Sequence, residues 1–413
     1  VSAPSSTRRT RAHDGSAVAI ATSVMNVATY GFTMLAARII GPSEYGAFVA
    51  CLNLLVILQV VALGLQATAA RRIAVDLGNV ATIEGAILRT TTRVSVAVGA
   101  LLLVLVPAVD ALLNLDSLTT AAVVAVAAVP LTLAGGQAGI LQGERRWGAL
   151  ALFYVAGGVP RLVVGTAIIL WRPDATSAIL GVGIGYLFPL VVGWWALRHR
   201  RTPESVAAEH SARSLLVESA HNAQVLFAYF ALSSVDIMIA RQVLDDHDAG
   251  LYASGLIMAK VMLFLPQFVV IVAFPDMATP TSRRRALVRS LLLVAALGVV
   301  MVVAARVLSG LAMVFVGGAE FGEVEDLLWV FAFLGTLLAM LQLQVYAVLA
   351  RQGRRTVVLV WAALAVVVAL GLRTDSVIGL VSVVVAVDAV LLSVLTVASL
   401  RLAREPEPDP ATG

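Results

Sequence analysis

Apolar residues gather into twelve runs along the chain, at about 16–38, 46–69, 94–114, 118–141, 148–171, 177–198, 216–242, 250–275, 288–309, 326–350, 356–373 and 376–400. Each is close to the roughly 20 residues that an α-helix needs to cross a bilayer. Hydrocarbon offers no partner to an open backbone N–H or C=O, so a crossing segment is either a helix or a strand of a closed barrel. The runs are too long for barrel strands and lack their alternation of polar and apolar positions. The pattern therefore predicts an all-α polytopic membrane protein of twelve transmembrane helices.

Composition removes the alternatives. Of 413 residues, 60% are hydrophobic and 13% charged, against roughly 45–50% and about 25% in soluble domains. No stretch is left for a large cytosolic catalytic domain. Residues 1–15 read as a disordered cytoplasmic tail, 16–198 as an N-terminal lobe of helices 1–6, and 199–215 as a cytoplasmic linker. Residues 216–402 read as a C-terminal lobe of helices 7–12, and 403–413 as a second cytoplasmic tail. Cys51 is the lone cysteine, so no intrachain disulfide framework is possible. Lys260 is the lone lysine, which excludes a GxxxxGK[ST] phosphate loop. Any energy source is then an ion gradient, a partner or the gradient of the substrate itself. No HExxH, paired CxxC or GxSxG site occurs, and neither a cofactor nor a nucleic-acid partner is expected.

Charge fixes the expected orientation. Cytoplasmic loops accumulate Lys and Arg, and 22 of the 28 arginines fall in alternate connections, from Arg8, Arg9 and Arg11 to Arg401 and Arg404. The opposite connections carry acids such as Glu44, Asp110, Asp174, Asp245, Asp246 and Glu320. Twelve crossings with both termini inside keep this alternation unbroken, which places the chain as a multi-pass protein of the cytoplasmic membrane.

The halves also look like copies. AARIIGPSEYGAFVA (36–50) aligns with IARQVLDDHDAGLYAS (239–254), matching Ala37, Arg38 and Gly46 to Ala240, Arg241 and Gly250. QAGILQGERRW (137–147) aligns more loosely with YAVLARQGRRT (346–356). An even number of spans per copy gives both the same orientation, hence parallel repeats about an axis along the membrane normal with a cavity between them. Arg38 and Arg241 fall at matching outer ends, where snorkelling to headgroups accounts for both.

ARIIGPSEYGAF, VDIMIARQVLDDHDAGLYASG with the following LPQFVVIVAFPDMA, the turn LQGERRW, and VFVGGAEFGEVEDLLWVF together resemble polysaccharide exporters of the multidrug/oligosaccharidyl-lipid/polysaccharide (MOP) flippase superfamily. The first segment is the most characteristic, and the resemblance runs from helix 1 to helix 10. It implies a V-shaped pair of six-helix lobes that moves a polyprenyl-diphosphate-linked oligosaccharide or polysaccharide precursor across the membrane by alternating access. Implied partners are that glycan, the surrounding lipids and glycan-assembly proteins; coupling to Na+ or H+ is a further implication.

Ionisable groups at membrane depth are functional candidates by default, because burying each costs about 2.5–3.5 kcal/mol on insertion scales. Arg161 lies about 20 Å along helix 5 at 1.5 Å per residue, after Gly157, Gly158 and Pro160. Its planar fork of donors suits diphosphate oxygens; the structural alternative is an arginine paired with an acid or carbonyl inside the bundle. Lys260 is a second candidate cation for the diphosphate, although its depth matches that of Asp388, so an ion pair between helices 8 and 12 is the competing reading. Asp388 and Asp236 form a candidate proton or cation site, with Asp236 expected nearer the outer surface. Glu218 and His221 share a helical face as a candidate relay or an interfacial polar patch. Asn26, Tyr30, Asn53, Gln59 and Gln66 stud the first two helices, lining a cleft or tying helices together. A drug or cation antiporter of the same superfamily is the main alternative and would place acids rather than Arg161 in the first lobe. An integral-membrane glycosyltransferase or polymerase would need a long outer loop bearing catalytic acids, and the outer connections are short.

Overall fold

The computed structural model describes residues 6–76, 78–198, 224, 227–262, 283–316, 319–349 and 354–402. Among them no strand occurs, and eight helices are long and apolar enough to cross a membrane. Large apolar side chains stand exposed along these helices, among them Leu103, Val163, Leu170, Val191, Val300 and Val303. Such continuous outward apolar surface suits lipid and not water. The chain is a multi-pass membrane protein. It divides into two compact units, Val1–Phe227 and Ala228–Gly413.

In the first unit, α1 runs from Ser6 to Val75 and contains both of the first two predicted spans. Its helix starts ten residues ahead of the predicted span, so Ser6–Gly15 are helical and not the irregular tail that their polarity suggested; alanine and arginine there are strong helix formers. The two spans bend at Gly41, with φ 75° and ψ 171°, followed by Pro42. That φ is open to glycine and strained for other residues, and Pro42 tolerates the first turn of the resumed helix because it has no N–H to leave unpaired. Next come α2 (Val80–Val104), α3 (Val106–Leu113), α4 (Leu118–Gly143), α5 (Trp147–Trp171), α6 (Ala175–Gly185) and α7 (Leu187–Leu197). The Glu44 carboxylate, just past the bend in α1, accepts the Ala175 N–H at 2.7 Å and so satisfies an open donor at the start of α6.

The helices of this unit meet through small residues, as membrane helices must when apolar lipid leaves them no hydrophobic drive to associate. Gly135, Gly139 and Gly143 form one stripe on α4, and added Cβ atoms there would lie 2.3 Å from the Ala62 carbonyl oxygen, 2.5 Å from that of Gln66 and 2.8 Å from Ile73 Cβ. This contact of backbone on backbone sets the height of Gln66 against α4.

The second unit contains a short helical stretch at 228–232, then α8 (Val235–Val243), α9 (Asp246–Met262), α10 (Arg283–Val307), α11 (Ser309–Val316), a 3₁₀ segment (Ala319–Leu327), α12 (Leu328–Leu349), α13 (Arg354–Gly371) and α14 (Val377–Leu402). Gly335 of α12 approaches the Ala259 carbonyl of α9, where a Cβ would sit at 2.4 Å. The contact is of the same kind as Gly135 on Ala62. Tyr252 and Phe331 add an edge-to-face ring pair at 5.3 Å, and the buried Tyr229 hydroxyl donates to the Leu338 carbonyl at 3.0 Å.

The matched arginines part company here. Arg38 is exposed, whereas Arg241 is buried to 3% exposure and its Nη1 lies 2.5 Å from Asp246 Oδ1. The snorkelling expected for Arg241 is therefore replaced by an ion pair that α9 supplies with its own first residue.

Candidate functional site

A cavity of about 450 Å³ lies wholly within the first unit, among α1, α4, α5 and the α6–α7 junction. Asn26, Tyr30, Gln59, Gln66 and Arg161 all line it, so five of the six first-lobe positions singled out in the sequence converge. Asn53 does not: it is buried at 4% exposure, and its side-chain amide donates back to the Val49 carbonyl at 2.9 Å. Its amide donor is thus spent within its own helix while its Oδ1 is buried without a partner among the described residues, an arrangement that position along the chain could not distinguish from a cavity role.

Arg161 reaches the cavity because its neighbours are small. Gly158 sits where a Cβ would be 2.6 Å from the Met25 backbone, and Gly185 where one would be 2.8 Å from Arg161 Cβ. At Tyr186 the chain passes from α6 to α7; Pro189, four residues after Gly185, has no N–H to bond the Gly185 carbonyl, the usual cause of such a bend. The bend sets the Tyr186 ring under the guanidinium, with Cζ 4.6 Å from the ring centroid. Arg161 is 6% exposed, no carboxylate bridges to it among the described residues, and its Nε has no hydrogen-bond partner. Among the described residues no acid neutralises Arg161.

The rest of the lining is neutral. Gln66 Nε2 donates to Gln142 Oε1 at 3.0 Å and to the Tyr154 hydroxyl at 3.2 Å, joining α1, α4 and α5 at one end. Thr22, Thr29, Phe153 and Tyr154 add hydroxyls and rings, and none of the lining residues is acidic. Hydroxyl, amide and ring surfaces around one cation offer hydrogen bonds and flat apolar faces to a polar anion. Tyr186 and Tyr154 were missed in the sequence; a tyrosine between Gly185 and Pro189 in an apolar run was the available signal for the first.

The second unit holds a separate cluster of buried polar groups. Asp236 (2% exposed) and Asp388 (0%) are both enclosed. Asp236 accepts the Ile237 N–H at 2.9 Å and the Tyr252 hydroxyl at 3.2 Å. Lys260 Nζ donates to the Ser233 carbonyl at 3.0 Å, at the non-helical step 233–234 between helical segments. Asp236 lies within electrostatic reach of both Lys260 and Asp388. Among the described residues neither carboxylate oxygen of Asp388 has a hydrogen-bond partner. Two of the sequence expectations change, and Lys260 keeps its expected place. Lys260 and Asp388 form no ion pair within 4 Å among the described residues. Asp236, expected to stand apart near the outer surface, belongs to the cluster. Lys260 lies in the second unit, engaged with a backbone carbonyl. Glu218 and His221 lie outside the described residues.

The described residues are all-helical, with several bilayer-length spans, a cavity in the first unit and a buried acid pair in the second. This fold has counterparts among solved structures. It is similar to an inward-facing multidrug-resistance MATE transporter of the MOP superfamily (TM-score 0.70, 14% identity, covering 92% of this chain and 94% of the other). It is equally similar to the lipid II flippase MurJ in an inward closed conformation (TM-score 0.70, 12% identity, 93% and 87% covered). A third likeness is to a MOP transporter from Pyrococcus furiosus whose binding pocket is described as reversed in polarity (TM-score 0.57, 14% identity, 94% of each chain). Residues 13–279 match the model of the polysaccharide biosynthesis protein family, and the chain belongs to that family. Among curated proteins no sequence relative is found.

Proposed function

We propose that the chain flips a polyprenyl-diphosphate-linked oligosaccharide across the cytoplasmic membrane by alternating access of two lobes, with Arg161 holding the diphosphate and the prenyl tail left in lipid. The observation that carries this reading is a buried guanidinium, backed by Tyr186 and free of any acid among the described residues, facing a cavity lined also by amides, hydroxyls and rings. A cation in a poorly solvated cavity attracts a compensating anion far more strongly than one at the surface. Family membership in polysaccharide biosynthesis and the fold shared with a lipid II flippase support the same substrate class. On this reading Asn26, Tyr30, Gln59 and Gln66 contact the sugars next to the diphosphate. Twelve crossings and inward termini remain parts of the proposal, and Asp236 with Asp388 is its coupling site for Na+ or H+; Lys260, held by the Ser233 carbonyl within the second unit, is not assigned to the phosphate.

The second reading, a drug or cation antiporter, draws on the likeness to multidrug transporters and requires a cavity that attracts cations. Arg161 repels them. The two are separated by reconstituting the full chain in vesicles and following movement of a fluorescent polyprenyl-diphosphate glycan, the corresponding monophosphate glycan and an organic cation. Arg161-dependent movement of the diphosphate glycan alone is expected. Movement of the cation, undiminished in Arg161→Ala, would overturn the reading in favour of the antiporter.

A further inference from the structure

The second-unit cluster has the oxygen donors of a small-cation site. Asp236 and Asp388 supply carboxylates, the step at 233–234 supplies the Ser233 carbonyl, and Ser234 Oγ is buried without a partner. Broken transmembrane helices commonly coordinate a sodium ion or a proton with such freed carbonyls. Here, however, the Ser233 carbonyl is already taken by Lys260 Nζ at 3.0 Å, and the same ammonium lies within electrostatic reach of Asp236. A metal ion entering this space would meet a fixed positive charge and one donor fewer. Asp236 is also provided for by the Ile237 N–H and the Tyr252 hydroxyl. What is left over is Asp388, fully enclosed, with two unpartnered oxygens. An ionised carboxylate so placed has neither water nor a donor to stabilise it.

We propose that the Lys260 ammonium is a built-in cation standing where a metal ion would otherwise bind, so that the coupling ion is a proton exchanged at Asp388 and sodium has no site in this lobe. The inference rests on the reading of Asp236 and Asp388 as the coupling site and narrows it. The charged and titratable groups facing Asp388 among the described residues are Asp236 from α8 and Tyr252 from α9, with Lys260 of α9 acting on Asp236. Lys260 is a positioning residue: it sets which ion the acids accept.

The test measures ion binding, not transport, so it stands or falls separately from the flippase reading. Thermal unfolding of the purified full chain is compared in sodium chloride and in choline chloride of equal ionic strength. Wild type and Lys260→Arg should unfold at the same temperature in both salts. Lys260→Ala, which frees the Ser233 carbonyl and removes the charge, should be stabilised by sodium, and Asp388→Asn added to it should abolish that gain. A sodium-stabilised wild type whose response is lost in Asp388→Asn would overturn the proposal, as would a folded Lys260→Ala that is blind to sodium. Infrared difference spectra between acid and alkaline buffer need no change at Lys260: a protonated-carboxyl band present in wild type and missing in Asp388→Asn is expected, and an Asp388 that stays ionised throughout refutes the proton half.

Discussion

The contact between Arg161 and Tyr186 gives the sharpest test of the first-unit cavity. The guanidinium stands 4.6 Å above the Tyr186 ring, and among the described residues its Nε lacks a partner and no ion pair orients it. A cation–π contact contributes about 0.5 kcal/mol when exposed and about 2 when desolvated. At 6% exposure Arg161 belongs towards the upper end. Tyr186→Leu removes the π face while keeping an apolar side chain at the bend, and Tyr186→Phe keeps the face and loses only the hydroxyl. If the ring holds the fork towards the cavity, Tyr186→Leu should weaken binding of a polyprenyl-diphosphate glycan by about 2- to 30-fold, since each 1.4 kcal/mol is tenfold. Tyr186→Phe should stay near wild type. In an Arg161→Ala background the leucine substitution should have almost no further effect, because its partner is gone; that non-additivity is the signature of direct coupling. Binding is read by titrating the glycan into detergent-purified protein with tryptophan fluorescence or calorimetry. Equal losses from Tyr186→Leu with and without Arg161 would show that the ring acts on substrate or fold independently, and the positioning argument would fail.

Other expectations are briefer. Arg161→Lys keeps the charge and loses the planar fork, so diphosphate affinity should fall by about 1–3 kcal/mol, less than in Arg161→Ala, while both variants insert normally because no ion pair is broken; normal affinity in Arg161→Ala would remove the diphosphate role. Gly135→Leu would drive a side chain into the Ala62 backbone, where even a Cβ comes within 2.3 Å, so a loss of at least about 1–3 kcal/mol should show as a lower unfolding temperature or poor membrane yield; wild-type stability would mean that α4 and α1 do not pack in this way. Gly41→Val, at φ 75°, should cost about 1–3 kcal/mol of backbone strain, checked by the same thermal assay. Asp388→Val removes a buried, unpartnered carboxyl and should leave stability unchanged or raised while ending ion-coupled transport; a strongly destabilised variant would reveal a structural partner for Asp388.

Hydrophobic runs, arginine placement and the cost of unpaired backbone in lipid were enough to read an all-helical, multi-pass membrane protein from the sequence, because bilayer thickness and backbone polarity act on any segment regardless of its neighbours. Arg161 and the polar stripe of α1 were legible for the same reason: a polar side chain in an apolar run is conspicuous by itself. What no local pattern carried was partnership. The Gly41–Pro42 bend joins two predicted spans into one element, Asn53 turns back to its own helix, and Arg241 meets Asp246 instead of the headgroups. Counting residues along separate helices set Asp236 apart from Lys260 and Asp388, since that reckoning omits the reach of a lysine stem and the tilt of one helix on another. Only the packed structure, where glycines on α4, α5, α6 and α12 decide how closely the backbones approach, determines which polar groups meet and which, like Asp388, are left with none.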